Sequence, residues 1–303
     1  MIDFLHLIKA IILGMVEGLT EFAPVSSTGH MIIVDDMWLR TEQLLGSKYV
    51  ANTFKVVVQL GSILAVVVVF WNRFMELLGL SRFMGKKGSA SAWSDEMIVA
   101  EDGSYRPRQL KHGGGSRLKL TQVIVGLIPA GVLGVLLEDF IDEHLFSTAT
   151  VLIGLVVGAL LMIAADRFAP KGAKVETVDQ ITYKQAFAIG LFQCLSIWPG
   201  FSRSGSTISG GVLLGLSHKA AADFTFIMAV PIMAGASALS LVKNLQYFTS
   251  DTLPFFIAGF ISAFLFALLS IRFFLKLVGR VKLVPFAVYR ILLAIVIYFA
   301  FFF

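Results

Sequence analysis

The chain has 303 residues, of which 57% are hydrophobic and 15% charged, and its mean hydropathy is +0.82. Soluble domains are about 45–50% apolar and about 25% charged. The composition therefore excludes a disordered chain, a disulfide scaffold and an ordinary soluble enzyme, and points to a polytopic membrane protein whose apolar surface is covered by lipid. The net charge of +5 reads as cytoplasmic loop charge, not as a nucleic-acid surface.

The first residues carry an early Asp3 and no basic leader, so they read as mature structure and not as a signal peptide. The first apolar stretch, Leu5–Phe22, runs into Ala-Pro-Val-Ser-Ser-Thr-Gly-His (23–30) and continues only over Met31–Val34. Thr53–Trp71 is the first segment expected to cross a bilayer. The polar, Gly/Ser-rich and basic residues 80–116, with Gly113-Gly114-Gly115, read as a flexible cytoplasmic loop. Leu120–Leu137 and Thr148–Ala165 are the next two spans. Ala186–Trp198 then runs into Pro-Gly-Phe-Ser-Arg-Ser-Gly-Ser (199–206) and a short Thr207–Leu216. Ala220–Val242, Leu253–Ile271 and Leu283–Phe303 complete six spans in one integral membrane domain over residues 1–303. The lone Cys194 has no partner for an internal disulfide.

The two interrupted stretches stand apart from the spans. A second arm of ten helical residues rises about 15 Å, half of a bilayer core of about 30 Å. Each stretch is expected to form a re-entrant helical hairpin with a polar break, broken by Pro24 in one and Pro199 in the other. Ordinary polar loops at the membrane surface are the alternative. Aligning Ser26 with Ser202 also brings Ala10 onto Ala186, Gly14 onto Gly190, Glu17 onto Gln193, Phe22 onto Trp198 and Gly29 onto Gly205. This reads as an internal repeat, approximately residues 1–137 and 181–271, with chance similarity between two apolar segments as the alternative. An odd number of spans between the copies makes it an inverted one. Basic loops (Arg73 to Arg117; Arg167 to Lys184; Arg272 to Lys282) alternate with the acidic Glu138, Asp139, Asp142 and Glu143. The positive-inside rule then puts both termini outside. The basic patches are suited to anionic lipid headgroups.

Chemistry concentrates at the breaks. Glu17 and Glu21 lie one helical turn apart, so they share a face inside an apolar run. Ionised carboxylates at that depth are costly and call for a proton, a basic partner or a metal ion. Arg203 is the basic residue of the second break, and its planar fork suits phosphate or carboxylate. Two carboxylates and one guanidinium leave a negative site; a divalent cation, Mg²⁺ or Ca²⁺, reverses its sign and admits a polyanion. Ser26, Ser27, Thr28 and Gly29 in one break, and Ser202, Ser204, Gly205, Ser206 and Thr207 in the other, each precede a helix start. There, hydroxyls and backbone N–H groups bind anions or cap the helix. His30 follows close behind Ser27 as a candidate proton carrier, with a plain packed histidine as the alternative.

Glu-Gly-Leu-Thr-Glu-Phe-Ala-Pro-Val-Ser-Ser-Thr-Gly-His (17–30) and Pro-Gly-Phe-Ser-Arg-Ser-Gly-Ser-Thr (199–207) resemble the two signature motifs of the undecaprenyl-diphosphate phosphatases of the bacitracin-resistance type. The resemblance extends over nearly the whole chain. It implies an enzyme of the bacterial inner membrane that hydrolyses the terminal phosphate of undecaprenyl diphosphate. That activity recycles the lipid carrier of cell-wall synthesis and confers bacitracin resistance. The resemblance places the family's acidic pair on Glu17 and Glu21 as catalytic and cation-binding residues. It puts the nucleophile on Ser27, the histidine on His30, and the phosphate-binding arginine on Arg203, with Ser202, Ser204 and Thr207 around it. It further implies a divalent cation and a site opening to the outer side. Ala23 departs from the family's usual larger aliphatic residue, and the 80–116 loop is long. Membrane lipids are the expected surroundings, no nucleic acid is expected, and a homodimer stays open. A lipid-phosphate flippase or anion transporter on the same inverted repeat is the alternative function.

Overall fold

The computed structural model describes residues 4–80, 97–99, 105–107, 117–137, 140–141, 144–145, 147–245 and 250–302. Its helices are α1 (Phe4–Thr20), α2 (Ser27–Met31), α3 (Thr41–Leu45), α4 (Lys48–Val69), α5 (Trp71–Leu77), α6 (Leu120–Leu136), α7 (Thr148–Phe168), α8 (Tyr183–Cys194), α9 (Arg203–Leu213), α10 (His218–Lys243), α11 (Leu253–Val281) and α12 (Val284–Phe302). A π-helical segment, Ile32–Leu39, extends α2, and the 3₁₀ turns Val178–Gln180 and Leu195–Ile197 flank α8. Several starts carry a side-chain cap. Ser147, Thr182 and Ser217 accept hydrogen bonds from the N–H groups of Thr150, Gln185 and Ala220, respectively.

Five helices among the described residues are long and apolar enough to cross a membrane: those within α4, α7, α10, α11 and α12. The chain is therefore a multi-pass membrane protein. The expected sixth span, Leu120–Leu137, is instead a shorter apolar helix of 17 residues. It starts directly after Lys119 and rises about 25 Å, at the short end of what crosses a bilayer core of about 30 Å. The 80–116 stretch is not loop throughout. Strands β1 (Met97–Val99) and β2 (Tyr105–Pro107) pair antiparallel, with Ile98 opposite Arg106 and Val99 opposite Tyr105, consistent with the strand preference of Ile, Val and Tyr. The rest of residues 81–116, and the acidic Glu138, Asp139, Asp142 and Glu143, lie outside the described residues.

Close helix approach at glycine organises the interior. On α1 the buried positions Ala10, Leu13, Gly14, Glu17 and Gly18 form one helical stripe. This stripe lies against α11: a Cβ at Gly14 would run into the Gly259 carbonyl, and one at Gly18 would sit 2.5 Å from the Ala263 carbonyl. Ser262 and Ser270 of α11 donate to the Ile11 and Leu19 carbonyls at 2.7 and 2.8 Å, lacing the two helices together. A second helix pair uses the same device. Gly190 of α8, the sequence equivalent of Gly14, meets the Gly126 carbonyl of α6 in the same way. Small residues replace side-chain packing with backbone contact, the usual means of helix association in lipid. At the centre the Phe22 ring packs edge-on against Phe226 at 5.3 Å, and Phe226 in turn against Phe274 at 5.9 Å.

Outside the spans, Asp179 ties three segments together. It accepts from Arg73 Nη2 at 2.8 Å and from the Leu118 N–H at 3.0 Å. Burial by itself raises its pKa, but the hydrogen bonds and charge of Arg73, with Arg117 nearby, outweigh it and hold the carboxyl below its ordinary value. A depressed carboxylate contributes stability above the unfolded value of about 3.9, and that contribution disappears as pH falls through the folded value. Asp179→Asn should therefore lower thermal stability at pH 7, and the gap to the native chain should close as pH falls below about 4; a gap constant with pH would contradict this. Gly14→Ala and Gly190→Ala should each cost about 1–3 kcal/mol in detergent unfolding. Gly131→Ala, where a Cβ meets nothing within 4 Å, should cost nothing.

Candidate active site

Each break is built in the same way. α1 ends as the Glu21 N–H donates to the Glu17 carbonyl at 2.9 Å. Pro24 then prevents continuation. The next helix starts at a serine with left-handed φ: Ser26 has φ 70° and ψ 99°, and Ser202, its repeat equivalent, has φ 73° and ψ 117°. Such values are strained for any residue but glycine. Both serines turn their hydroxyls onto the first turn of the new helix, accepting from Gly29 N at 3.5 Å and from Gly205 N at 3.1 Å. The hydroxyl clusters therefore lie within the first turns of α2 and α9. The new helices start at Ser27 and Arg203, several residues earlier than the expected second arms.

The two breaks meet. Arg203 Nη2 lies 3.1 Å from Glu21 Oε1, and the guanidinium also sits 5.9 Å over the Phe22 ring. Ser204 donates to the Ala23 carbonyl at 3.1 Å. The other oxygen of Glu21 accepts a 2.6 Å hydrogen bond from the Ser27 hydroxyl. A cavity of about 280 Å³ opens between the breaks, with Glu21, Ser26, Ser27 and Thr28 on one side and Gln193, Ser202 and Arg203 on the other. Gln59, Ile232 and Met233, from the spanning helices, also line it.

Glu17 lies behind this cavity. It is buried, its Oε1 has no hydrogen-bond partner, and it is within electrostatic reach of Glu21 and Arg203. Other expected residues face elsewhere. His30 does not line the cavity: Nδ1 is 2.8 Å from the Ser26 carbonyl, and Nε2 is 2.7 Å from the Tyr289 hydroxyl, whose ring stacks on the imidazole. Thr207 is fully buried within α9, donating to the Arg203 carbonyl and accepting from Thr225 at 2.8 Å. Gly29 packs against Leu155 and Leu293.

Arg290 was not singled out from the sequence. It is completely buried, and its Nη2 donates to the carbonyls of Gly154, Gly200 and Phe201 at 3.2, 2.9 and 2.8 Å. It thus grips the second break from behind. Gly158 and Gly205 leave the room: a Cβ at Gly205 would come within 3.0 Å of Nη1. The available signal was an arginine inside an otherwise apolar span. Tyr289 left none, because tyrosine is ordinary in such helices.

A multi-pass helical protein with an anion-suited cavity between two helix breaks is the class that this geometry defines. The chain belongs to the family described as "Bacitracin resistance protein BacA", which matches residues 10–296. It is 72% identical over 300 residues to an undecaprenyl-diphosphatase of Geobacillus sp. (strain WCH70), covering 99% of this chain and 100% of the relative. It is 57% identical over 292 residues to an undecaprenyl-diphosphatase of Bacillus subtilis (strain 168), covering 96% and 97% of the two chains. A relative of the same name from Exiguobacterium sibiricum is 60% identical over 293 residues, 97% of each chain.

Removing the Arg290 fork leaves the buried Gly200 and Phe201 carbonyls of the break without their donor. Arg290→Leu should lower unfolding stability in detergent by about 3 kcal/mol or more, with Arg290→Lys between it and the native chain. Unchanged stability in Arg290→Leu would show that the carbonyls find other donors.

Proposed function

We infer that this chain is an undecaprenyl-diphosphatase whose reaction runs in the cavity between the two breaks. It removes the terminal phosphate of undecaprenyl diphosphate, giving undecaprenyl phosphate and inorganic phosphate. The lipid carrier of cell-wall synthesis is thereby recycled, and bacitracin loses its target. The observation that carries the mechanism is the 2.6 Å hydrogen bond from Ser27 to Glu21. It sets a nucleophile against its base in a site already holding a guanidinium for phosphate.

Arg203 and the exposed N–H groups of the helix starts hold the phosphate oxygens. Ser27 Oγ attacks the terminal phosphorus as its proton passes to Glu21. The Oγ–P bond forms, the bond from phosphorus to the bridging oxygen breaks, and undecaprenyl phosphate leaves. Glu21 hands that proton to the departing phosphate and is ionised again. Water then attacks the phosphoserine, giving a proton to the same carboxylate, which returns it to the serine oxygen as the Oγ–P bond breaks and inorganic phosphate is released. Glu21 fits the role of base better than His30, both of whose ring nitrogens are engaged away from the cavity.

The donor set fits a divalent cation. Glu17 offers a buried oxygen with no partner, and no group of three His, Cys, Asp or Glu gathers among the described residues. Two carboxylates without a full protein cage suit Mg²⁺ shared with substrate phosphates. When bound, the ion neutralises charge on the transferring phosphoryl group.

In the membrane we place α1 with α2, and α8 with α9, as re-entrant hairpins of an inverted repeat, with α6 as the sixth crossing. The matched serine caps and matched glycine–carbonyl contacts support this arrangement. The cavity is assigned an outward opening, toward the face where the diphosphate is left after polymer synthesis.

In detergent, with Mg²⁺ supplied, Ser27→Ala should lower kcat for phosphate release roughly a thousandfold or more. Glu21→Gln should act similarly, and Arg203→Ala should also raise KM. Full activity in Ser27→Ala would remove the serine from the chemistry and leave direct attack by water.

A further inference from the structure

The mechanism uses Ser27, Glu21 and Arg203 of the cavity's polar lining, but not Gln193. This side chain is 1% exposed and lines the same cavity, and neither its amide oxygen nor its amide nitrogen has a hydrogen-bond partner. A buried amide left unpaired is costly. A glutamine serving only to pack α8 against its neighbours would bond to a carbonyl or hydroxyl within reach. Ser196, one turn further on, does so, donating to the Gln193 main-chain carbonyl at 2.6 Å. The Gln193 amide is held ready for something that enters the cavity.

The repeat indicates what that is. Gln193 is the equivalent of Glu17, so the two halves place groups of the same shape at matching positions. One carries a negative charge, and the other is neutral with two N–H donors. A third carboxylate beside Glu17 and Glu21 would repel an incoming diphosphate. An amide keeps the shape, removes the repulsion and adds donors.

We propose that Gln193 is a substrate-binding residue whose amide N–H₂ donates to a phosphate oxygen of the bound diphosphate, alongside Arg203. Its amide oxygen is left for water in the same polar cavity. The proposal rests on the phosphatase reading above.

The test uses the purified full-length chain in detergent. It measures kcat and KM for phosphate release from undecaprenyl diphosphate, inhibition by methylenediphosphonate, and thermal stability. Gln193→Leu should raise both KM and the inhibition constant about tenfold or more, the usual loss for a hydrogen bond to a charged oxygen. Its stability should be unchanged or higher, because the unpaired groups are gone. Gln193→Glu, of nearly the same shape, should weaken binding further through repulsion, while Gln193→Asn should recover part of the binding. A KM within twofold of native in both Leu and Glu variants would overturn the proposal. So would a loss of stability in all three with unchanged inhibition, which would make Gln193 a packing residue. A native chain that releases no phosphate would instead overturn the phosphatase reading itself.

Discussion

The site depends on one carboxylate shared between two helix breaks. Glu21 gives one oxygen to Ser27 at 2.6 Å and the other to Arg203 at 3.1 Å. The first contact stays within one break, and the second reaches across to the other. In water an exposed ion pair of this kind contributes little. Here the partners sit between protein elements, and each would be expensive to leave alone. The same carboxylate therefore joins the two breaks and holds the Ser27 hydroxyl. Charge that would otherwise oppose burial becomes the reason for the two breaks to meet.

Everything around that pair keeps two irregular segments rigid. A serine at φ near 70° is unfavourable, and it occurs twice, at equivalent positions, because each caps the helix that follows. Behind the second break, Arg290 collects carbonyls that have no helical partner. Behind the first, His30 bridges the Ser26 carbonyl and Tyr289. Both supports come from α12. The final helix thus acts on the site from outside it, one side chain for each break. Glycine-to-carbonyl contacts of α1 with α11 and of α8 with α6 fix where the first arms lie. Strain at the breaks is tolerated because these contacts leave the arms little freedom.

Much of this was legible in the sequence. Apolar length gave five of the expected spans, and proline with clustered hydroxyls marked both breaks. The offset between the breaks suggested a repeat, and Ser26 and Ser202, which that offset aligns, have similar backbone conformations. Glu17, Glu21 and Arg203 stood out because ionisable groups are rare inside apolar runs. Hydropathy located α6 to within one residue, Leu120–Leu137 against Leu120–Leu136, and what sets it apart from the other five is its length of 17 residues. The rest depends on tertiary contact. His30 and Ser27 are close in sequence, which suggested a proton-transfer pair. The partner that claims the imidazole, Tyr289, lies at the other end of the chain. Arg290 carried a readable signal, an arginine in a span, but its target is three backbone carbonyls that no pattern of side chains announces.

The central claim is that Ser27, oriented by Glu21, carries the phosphoryl group between diphosphate and water. Its most direct test is rapid acid quenching of the purified chain turning over undecaprenyl diphosphate labelled with ³²P in the terminal phosphate, followed by mapping of the labelled peptide. The account predicts transient label on the peptide containing Ser27, absent in Ser27→Ala. Turnover by the native chain with no labelled serine at any quench time, together with retained activity in Ser27→Ala, would contradict it.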